Sequence, residues 1–598
     1  MKKYWILVAI LCLLLQLKGL CEEIELPRVE SDPGVVNNLN RNVINELIEQ
    51  EEELESEENK EIGEIDSLNT ANIQINQTNY ASNEYFEIKN VEISGNTIFK
   101  KKDLDKYFNK IITKKSSIKD ITNCVTTLNK MYESKGYVTT YAYVPKNAVN
   151  GDTLKINIVE GRIGDINIAY LKYTKQYYLR HILLGSNGIE KDHIFNIHNI
   201  ENINEAINAN KYIKGKVSVA EGEGINNNLD LKIIEKRPIK LDVMWDNDGN
   251  ELVGQNRTMM LLEKDNLFGL GHQIYGGTLL ARGTTGAIAG YKAPIGNHGT
   301  ELQFNYSYSH IALLGEYSGE GFKGNAATYT TRVVQPLYTR KNLKVKTDLG
   351  LDFVDAHASK REEKYTSSIN DYRLTVLRHG VNVVEHDKSG VSIGRLESSF
   401  GLPILGAKES RKTENSDGVN LRDNFYKFKL TLLRLQKIKK ESMGIARLTT
   451  QYSPNNLYAT EQMNFGGIGT MRGYEPGETL SDSGVNGTLE LRTPVPFLKT
   501  ALPERYKKYS DRAKLGFFYD WGVFANHNGW GNMSSGENFL ESIGEGIHIK
   551  LTDSLDASWE IGVPIGGSNH RGKDAVMYFA VKADVWDMFS KKPKEEDL

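Results

Sequence analysis

A lone arginine, Arg472, sits among glycines, a tyrosine and a proline in TMRGYEPG, residues 470–477. Its guanidinium stays charged and carries a planar fork of N–H donors, so its natural chemistry is to grip a carboxylate. Glycine and proline suit neither a strand nor a helix interior, and the stretch reads as a loop. Gly473 permits a sharp turn and Tyr474 offers a ring that can pack. A second motif, GFFYDWGVF at residues 516–524, frames Asp520 between Phe518 and Gly522. Other constellations fall away. His193 and His198 in HIFNIH are five apart and lack the glutamate of a zinc-binding HExxH helix, so they read as ordinary surface or core histidines. GLGHQIYGG, from Gly269, lacks the strand-to-helix setting of a dinucleotide loop, and turn glycines account for it. With no serine elbow, paired carboxylates or nucleotide loop, the expectation is a protein that is not an enzyme and takes no cofactor or metal.

The elements that must position these motifs come from a long chain. Its 598 residues exceed one ordinary core, so several domains are expected. The net charge of -3 gives no reason to expect nucleic acid. Beyond the start no run of about 18 apolar residues marks a membrane helix. The first 21 residues have Lys2 and Lys3, an apolar stretch over residues 5–15, and Gly19 and Cys21 placed for cleavage before Glu22. They are read as a secretory signal peptide. Of Cys12, Cys21 and Cys124, only Cys124 would remain, so no disulfide framework supports the exported chain.

Residues 42–66 begin with Val43, Ile44, Leu47 and Ile48 at helical spacing and then turn acidic, while residues 67–84 are polar and Asn-rich. The acidic stretch suits either a solvated, partly disordered tail or a helix that docks into something basic or into a wide lumen. From residue 86 the order is strand, short helix, helix, strand, strand, with Ile121, Val125, Leu128 and Tyr132 on one helical face. That order repeats loosely up to residue 236, which points to a duplicated α+β unit.

From residue 237 the helical signal stops. LKVKTDLGLDF sets Leu343, Val345, Leu349, Leu351 and Phe353 against Lys344, Lys346, Asp348 and Asp352. NFYKFKLTL sets Tyr426, Phe428, Leu430 and Leu432 against Lys427, Lys429 and Thr431. A soluble sandwich would rarely oppose its core with so many charges, whereas a barrel in lipid with a wet interior requires it. Sixteen such strands are counted between residues 238 and 586, an even number as expected of a single-chain barrel. Short and long connections alternate; those after strands 7, 9 and 11 are expected to be long. The link after strand 12 should be a short turn yet is long and basic. TMRGYEPG falls in the sixth outer loop and Asp520 in strand 13.

Together, the signal peptide, the paired ISGNTIF…GYVTTYAYVP modules, the first strand RPIKLDVMWDNDGN, the MRGY loop and the FYDWG strand resemble the TpsB-type two-partner secretion transporters, the haemolysin and haemagglutinin activator family. Met471 stands where that family's VRGY motif has valine. The resemblance implies α+β periplasmic POTRA domains followed by an all-β 16-stranded antiparallel transmembrane β-barrel. It divides the chain into signal peptide 1–21, a candidate plug helix 35–60, a linker 61–84, POTRA domains 85–161 and 162–236, and a barrel 237–586 with an inward-folded loop 454–483. It implies that Arg472, with Gly473 and Tyr474, reaches the Phe518, Asp520 and Gly522 row on the wall through a partly hydrated ion pair of about 1–3 kcal/mol. The implied partners are a large secreted exoprotein (a TpsA-type adhesin or haemolysin) and the lipids of the bacterial outer membrane around a monomeric barrel. A barrel-assembly insertase of the same superfamily, a passive porin and a barrel that merely anchors a surface-binding protein remain as alternatives.

Overall fold

The structure is a computed structural model that describes residues 85–589 apart from short segments, the longest being 409–420, 496–511 and 527–537. The signal peptide, candidate plug helix and linker lie outside the described residues, as does most of the long basic link after strand 12.

The described chain opens with β1 (Tyr85–Glu87), which pairs with β3 (Lys115–Ser117). The first unit contains β2 (Asn90–Ser94), α1 (Lys101–Asp105), α2 (Ile118–Ser134), β4 (Tyr141–Tyr143), β5 (Val149–Asn150) and β6 (Thr153–Val159). Its sheet has the order β2-β6-β4, with β2 parallel and β4 antiparallel to β6. Helix α2 starts at a reciprocal cap: Ser117 Oγ accepts from the Asp120 amide, and the Asp120 carboxylate accepts from the Ser117 amide at 2.9 Å. Ile121, Val125, Leu128 and Tyr132 then recur every three or four residues and are buried against Leu154, Ile156 and Ile158. The second unit repeats the plan with β7 (Arg162–Ile168), a π-helical segment (Tyr178–Leu184), α3 (Ile197–Asn208), β8 (Ile213–Glu221) and β9 (Asn226–Glu235). Its sheet order is β7-β9-β8, again with the first strand parallel and the second antiparallel to the central one. His193 and His198 each lie beside a glutamate of their own segment, Glu190 and Glu201.

A closed barrel follows: β10 (Ile239–Asp246), β11 (Arg257–Leu267), β12 (His272–Ala281), β13 (Thr284–Ile295), β14 (Thr300–Ala312), β15 (Lys323–Arg340), β16 (Leu343–Arg361), β17 (Thr366–Asp387), β18 (Gly390–Leu402), β19 (Tyr426–Lys439) and β20 (Ser442–Tyr452). After a small hairpin of β21 (Met463–Phe465) and β22 (Thr479–Ser481), it continues through β23 (Ser483–Pro494), β24 (Ala513–Ala525), β25 (Phe539–Thr552), β26 (Leu555–Gly566) and β27 (Val576–Asp584). The sixteen barrel strands match the sequence expectation in number and antiparallel pairing. β27 closes on β10 from Asp242 opposite Asp584 to Asp246 opposite Ala580. Beyond Asp584 the expected strand becomes α4 (Val585–Phe589), which carries Trp586 and lies against β10 without pairing to it, although β10 itself extends to Ile239.

Polarity is inverted relative to a soluble protein. Leu349, Leu489, Phe517, Ile543 and Met577 are exposed on the outside, while Asp348, Asp352, Lys427, Glu490 and Asp520 are buried within. Strands β16 and β17 run further than expected, so their connection shrinks to residues 362–365. The reason is a change of sides along β16. Up to Phe353 the apolar residues face outward, but beyond it Val354 and Ala356 turn inward and are buried with Tyr372, Leu374 and Val376 of β17. Asp355 and Arg373, 3.3 Å apart, face outward there and are half exposed, as suits a hairpin rising into water.

At the opposite rim, the β11–β12 turn grips the second unit. Asn266 Nδ2 donates to the Tyr173 carbonyl and Thr174 Oγ1 at 3.2 and 2.8 Å, and the Lys175 amide donates to the Gly269 carbonyl at 2.9 Å. The GLGH glycines therefore serve a turn that is also a docking point.

Leu349→Arg should impair insertion by about 2–4 kcal/mol, as a cation on the lipid face does near the midplane. Asp355→Ala, on the rising part of the same strand, should cost under about 1 kcal/mol. Urea titration of folding into lipid vesicles, read by heat-modifiable gel mobility, checks the contrast.

Candidate functional site: a loop folded into the barrel

The connection between β20 and β23 enters the lumen. Its two arms pair as β21 and β22, and the Gly467 amide donates to the Tyr474 carbonyl to tighten the tip. Arg472 extends from this tip into a cage of three carboxylates. Nε donates to Asp520 Oδ2 at 2.9 Å and Nη2 to Oδ1 at 3.0 Å, a bidentate pair. Nη1 donates to Glu490 Oε2 at 2.6 Å and to Glu560 Oε2 at 3.1 Å. The Arg472 amide also donates to Asp520 at 3.1 Å. One guanidinium thus bridges β23, β24 and β26. The other oxygen of Glu490 accepts from Arg492 at 2.6 Å, so the cage does not rely on a single cation.

The Phe518, Asp520 and Gly522 row explains itself through strand periodicity. Residues two apart face the same side, and here that side is the lumen. The Phe518 ring lies 3.5 Å below the guanidinium carbon. Asp520 supplies the charge. Gly522 leaves space: a Cβ there would come within 2.9 Å of the Phe465 ring and 3.2 Å of Met471 Sδ. Met471, in the place of a valine, is fully buried with Phe465, Phe524 and Leu540. Gly473 has φ +100, and any Cβ would press on Ser542 and on the backbone at Gly562 and Pro564. Tyr474 is buried, its hydroxyl donating to the Gly566 and Glu541 carbonyls, while Tyr578 Oη donates to the Tyr474 carbonyl at 2.7 Å.

The loop also touches the beginning of the barrel. Asp248 Oδ1 accepts from the Ile468 amide at 3.1 Å, and Asn250 Nδ2 donates to the Pro476 carbonyl at 2.6 Å. Buried Arg257 holds Asp246 and Asp248 at 2.8 and 3.1 Å. The tip therefore contacts both sides of the joint between first and last strands.

The structure brings Arg472, Gly473 and Tyr474 together with Phe518, Asp520 and Gly522, but the environment differs from the partly hydrated pair expected. Arg472 is 5% exposed and Asp520 is fully buried. Removing one member of such a buried set costs about 3–5 kcal/mol because the remaining charges lose their partner. Sequence reasoning missed Glu490, Glu560, Tyr578 and Gly562. Strand alternation places the two glutamates on lumen faces, but only cross-strand register puts them beside Asp520: Glu490 is opposite Phe518, whose neighbour two residues on is Asp520.

The comparisons agree with this architecture. The profile described as haemolysin secretion/activation protein ShlB/FhaC/HecB matches residues 226–535, and that of the ShlB-type POTRA domain matches residues 86–161. Among curated relatives, the heme/hemopexin transporter protein HuxB of Haemophilus influenzae (strain 86-028NP) is 20% identical over 457 residues, covering 74% of this chain and 77% of the relative. The outer membrane transporter CdiB of Escherichia coli O6:K15:H31 (strain 536 / UPEC) is 23% identical over 356 residues, 58% of each chain. Among solved structures, CdiB from Escherichia coli superposes with a TM-score of 0.72 at 18% identity, covering 94% of this chain and all of that one. CdiB from Acinetobacter baumannii gives 0.65 at 14% identity, covering 94% of this chain and all of that one. The chain belongs to the haemolysin secretion/activation protein family, as an outer-membrane transporter with a periplasmic POTRA region and a sixteen-stranded barrel.

Proposed function

We propose that this transporter takes one large exported exoprotein, still unfolded, from the periplasm and threads it through the barrel without a nucleotide, with folding outside giving the direction. The partner is of the TpsA type, an adhesin or haemolysin. The observation that carries this is the Arg472 cage. A loop held in a polar lumen by charge-assisted bonds has an anchor whose partners water or a passing polar backbone can replace, so it can be fixed at rest and yield during passage. The transporter names of the relatives support a transport role, and the family description, a secretion/activation protein, supports the outward direction.

The two small units serve as POTRA domains, 85–161 and 162–236, and the barrel as 237–586 with loop 454–483 as its inward element. β4 and β8 are edges of their sheets, so an extended client strand can add to them by main-chain pairing, with the grooves beside α2 and α3 choosing side chains. The protein is not an enzyme, and it acts as a monomeric barrel in outer-membrane lipid. Tandem periplasmic units are more than a passive porin needs, and two are fewer than barrel-assembly insertases usually carry.

Arg472→Ala and Asp520→Ala should each leave an inserted, heat-modifiable barrel while secretion of the co-expressed exoprotein falls to background. A loss of about 3–5 kcal/mol lowers the population of the anchored loop by roughly two to four orders of magnitude. Full secretion by both variants would remove Arg472 and Asp520 from the mechanism.

Gly562→Ala tests the anchor without altering charge. Its Cβ would fall 2.3 Å from the Gly473 amide nitrogen, so the tip must lift from the wall. Reduced secretion is expected, measured in the same assay, with barrel mobility on gels unchanged.

A further inference from the structure

Arg472 is not the loop's only buried charge. Glu461 precedes β21 on the arm that descends into the lumen, in a short 3-10 turn (Ala459–Glu461), and is 1% exposed. Arg378 of β17 donates to its two carboxylate oxygens at 2.6 and 3.2 Å. Lys427 of β19 lies 2.7 Å from Oε2. The main chain is held at the same point, because the Glu461 carbonyl accepts from Lys427 Nζ at 2.8 Å and from Gln451 Nε2 of β20 at 3.1 Å. Three residues earlier, the Tyr458 ring stacks on Tyr372 with centroids 4.1 Å apart. Asp482, on the returning arm, accepts from the Leu457 amide and Gln462 Nε2, both at 2.9 Å, and so ties the two arms together at this level.

From this geometry we infer that Glu461 is a positioning residue: a second latch that fixes the base of the inward loop to β17 and β19, separately from the latch of its tip on β23, β24 and β26. The two latches share no side chain. They occupy different arcs of the barrel wall, with β20 between them, and the β21–β22 hairpin joins them. When the tip lets go, a held base keeps the loop attached to one wall, so the hairpin swings about residues 461–463 toward β17 and β19 and does not fall across the lumen. The wall itself does not need Glu461. Arg378 keeps Asp352 at 2.5 Å, with Glu397 at 3.8 Å. Removing the carboxylate therefore loosens the base of the loop, which keeps its main-chain bonds and the Tyr458–Tyr372 stack, and leaves the Arg378–Asp352 pair of the wall in place.

The inference rests on the proposal that the loop is fixed in the lumen at rest and yields during passage, and the test separates the two. Purified full-length protein in planar bilayers gives a mean single-channel current for the parent, Glu461→Gln, Lys427→Met, Arg472→Ala and the pairwise combinations, with heat-modifiable mobility as the check on barrel folding. If Glu461 and Lys427 form one latch, each single change raises the current and their combination raises it no further. If the base and tip latches are separate, Glu461→Gln with Arg472→Ala exceeds either alone. A parent-like current for both Glu461→Gln and Lys427→Met overturns the second latch, as does a combination with Arg472→Ala no different from Arg472→Ala. Loss of heat-modifiable mobility in both Glu461→Gln and Lys427→Met would make the pair a stability element and also overturn it. A parent-like current for Arg472→Ala beside raised currents at Glu461 and Lys427 keeps the base latch and refutes the role given to the tip.

Discussion

Within hydrocarbon a backbone amide or carbonyl without a partner costs several kcal/mol, and the rest of this molecule follows from that constraint. Sixteen strands must close, and β27 must return to β10. Closure makes an inside and an outside with opposite solvents. Leucine and phenylalanine then belong on the outer face, and the lumen becomes a place where Arg378 and Lys427 meet Glu461, and Glu490 and Asp520 meet Arg472. A loop rich in glycine and charge could not enter a soluble core without heavy desolvation cost. Inside such a barrel it meets complementary charges already set on rigid strands.

The inward loop is held by two kinds of fit. Charge fixes position: a bidentate guanidinium–carboxylate pair has direction as well as strength. Shape fixes distance: Gly473 and Gly562 let two backbones approach where a methyl group would keep them apart. Neither alone would place the tip. Without the glycines the arginine would stop short of Asp520, and without the carboxylates the close contact would bury a cation with no counter-charge.

Much of this was legible from residue order because a half-wet strand has a period of two. The alternations around Leu349 and Phe428 gave both the strand and its sides, and the Arg-Gly-Tyr and Phe-x-Asp-x-Gly frames were distinctive enough to stand out. What stayed hidden depended on neighbours distant in sequence. Glu490 and Glu560 look like any lumen-facing acids until register sets them around Arg472, and Glu461 in ATEQMNF has no local mark at all. The height of the β16–β17 hairpin was missed because polarity inverts past Phe353: once water lies outside, apolar residues turn inward, and a pattern read as strand ending is strand continuing. Similarly, α4 replaces the last residues of a predicted strand: the short VWDMF stretch lies against β10 without joining its ladder, and alternation alone does not separate the two outcomes.

The grip of the β11–β12 turn on residues 173–175 has a mechanical consequence. A body joined to another by one flexible peptide can spin and nod in any direction. Here the covalent link is braced at its root: the Asp265 amide donates to the Pro238 carbonyl at 2.8 Å, and the Glu235 carboxylate accepts from the Lys172 and Tyr173 amides, so link, clasp and turn form one cluster of bonds. The neighbouring periplasmic unit is therefore held at the barrel mouth as a bracket holds a shelf, by the same turn that joins two strands of the wall.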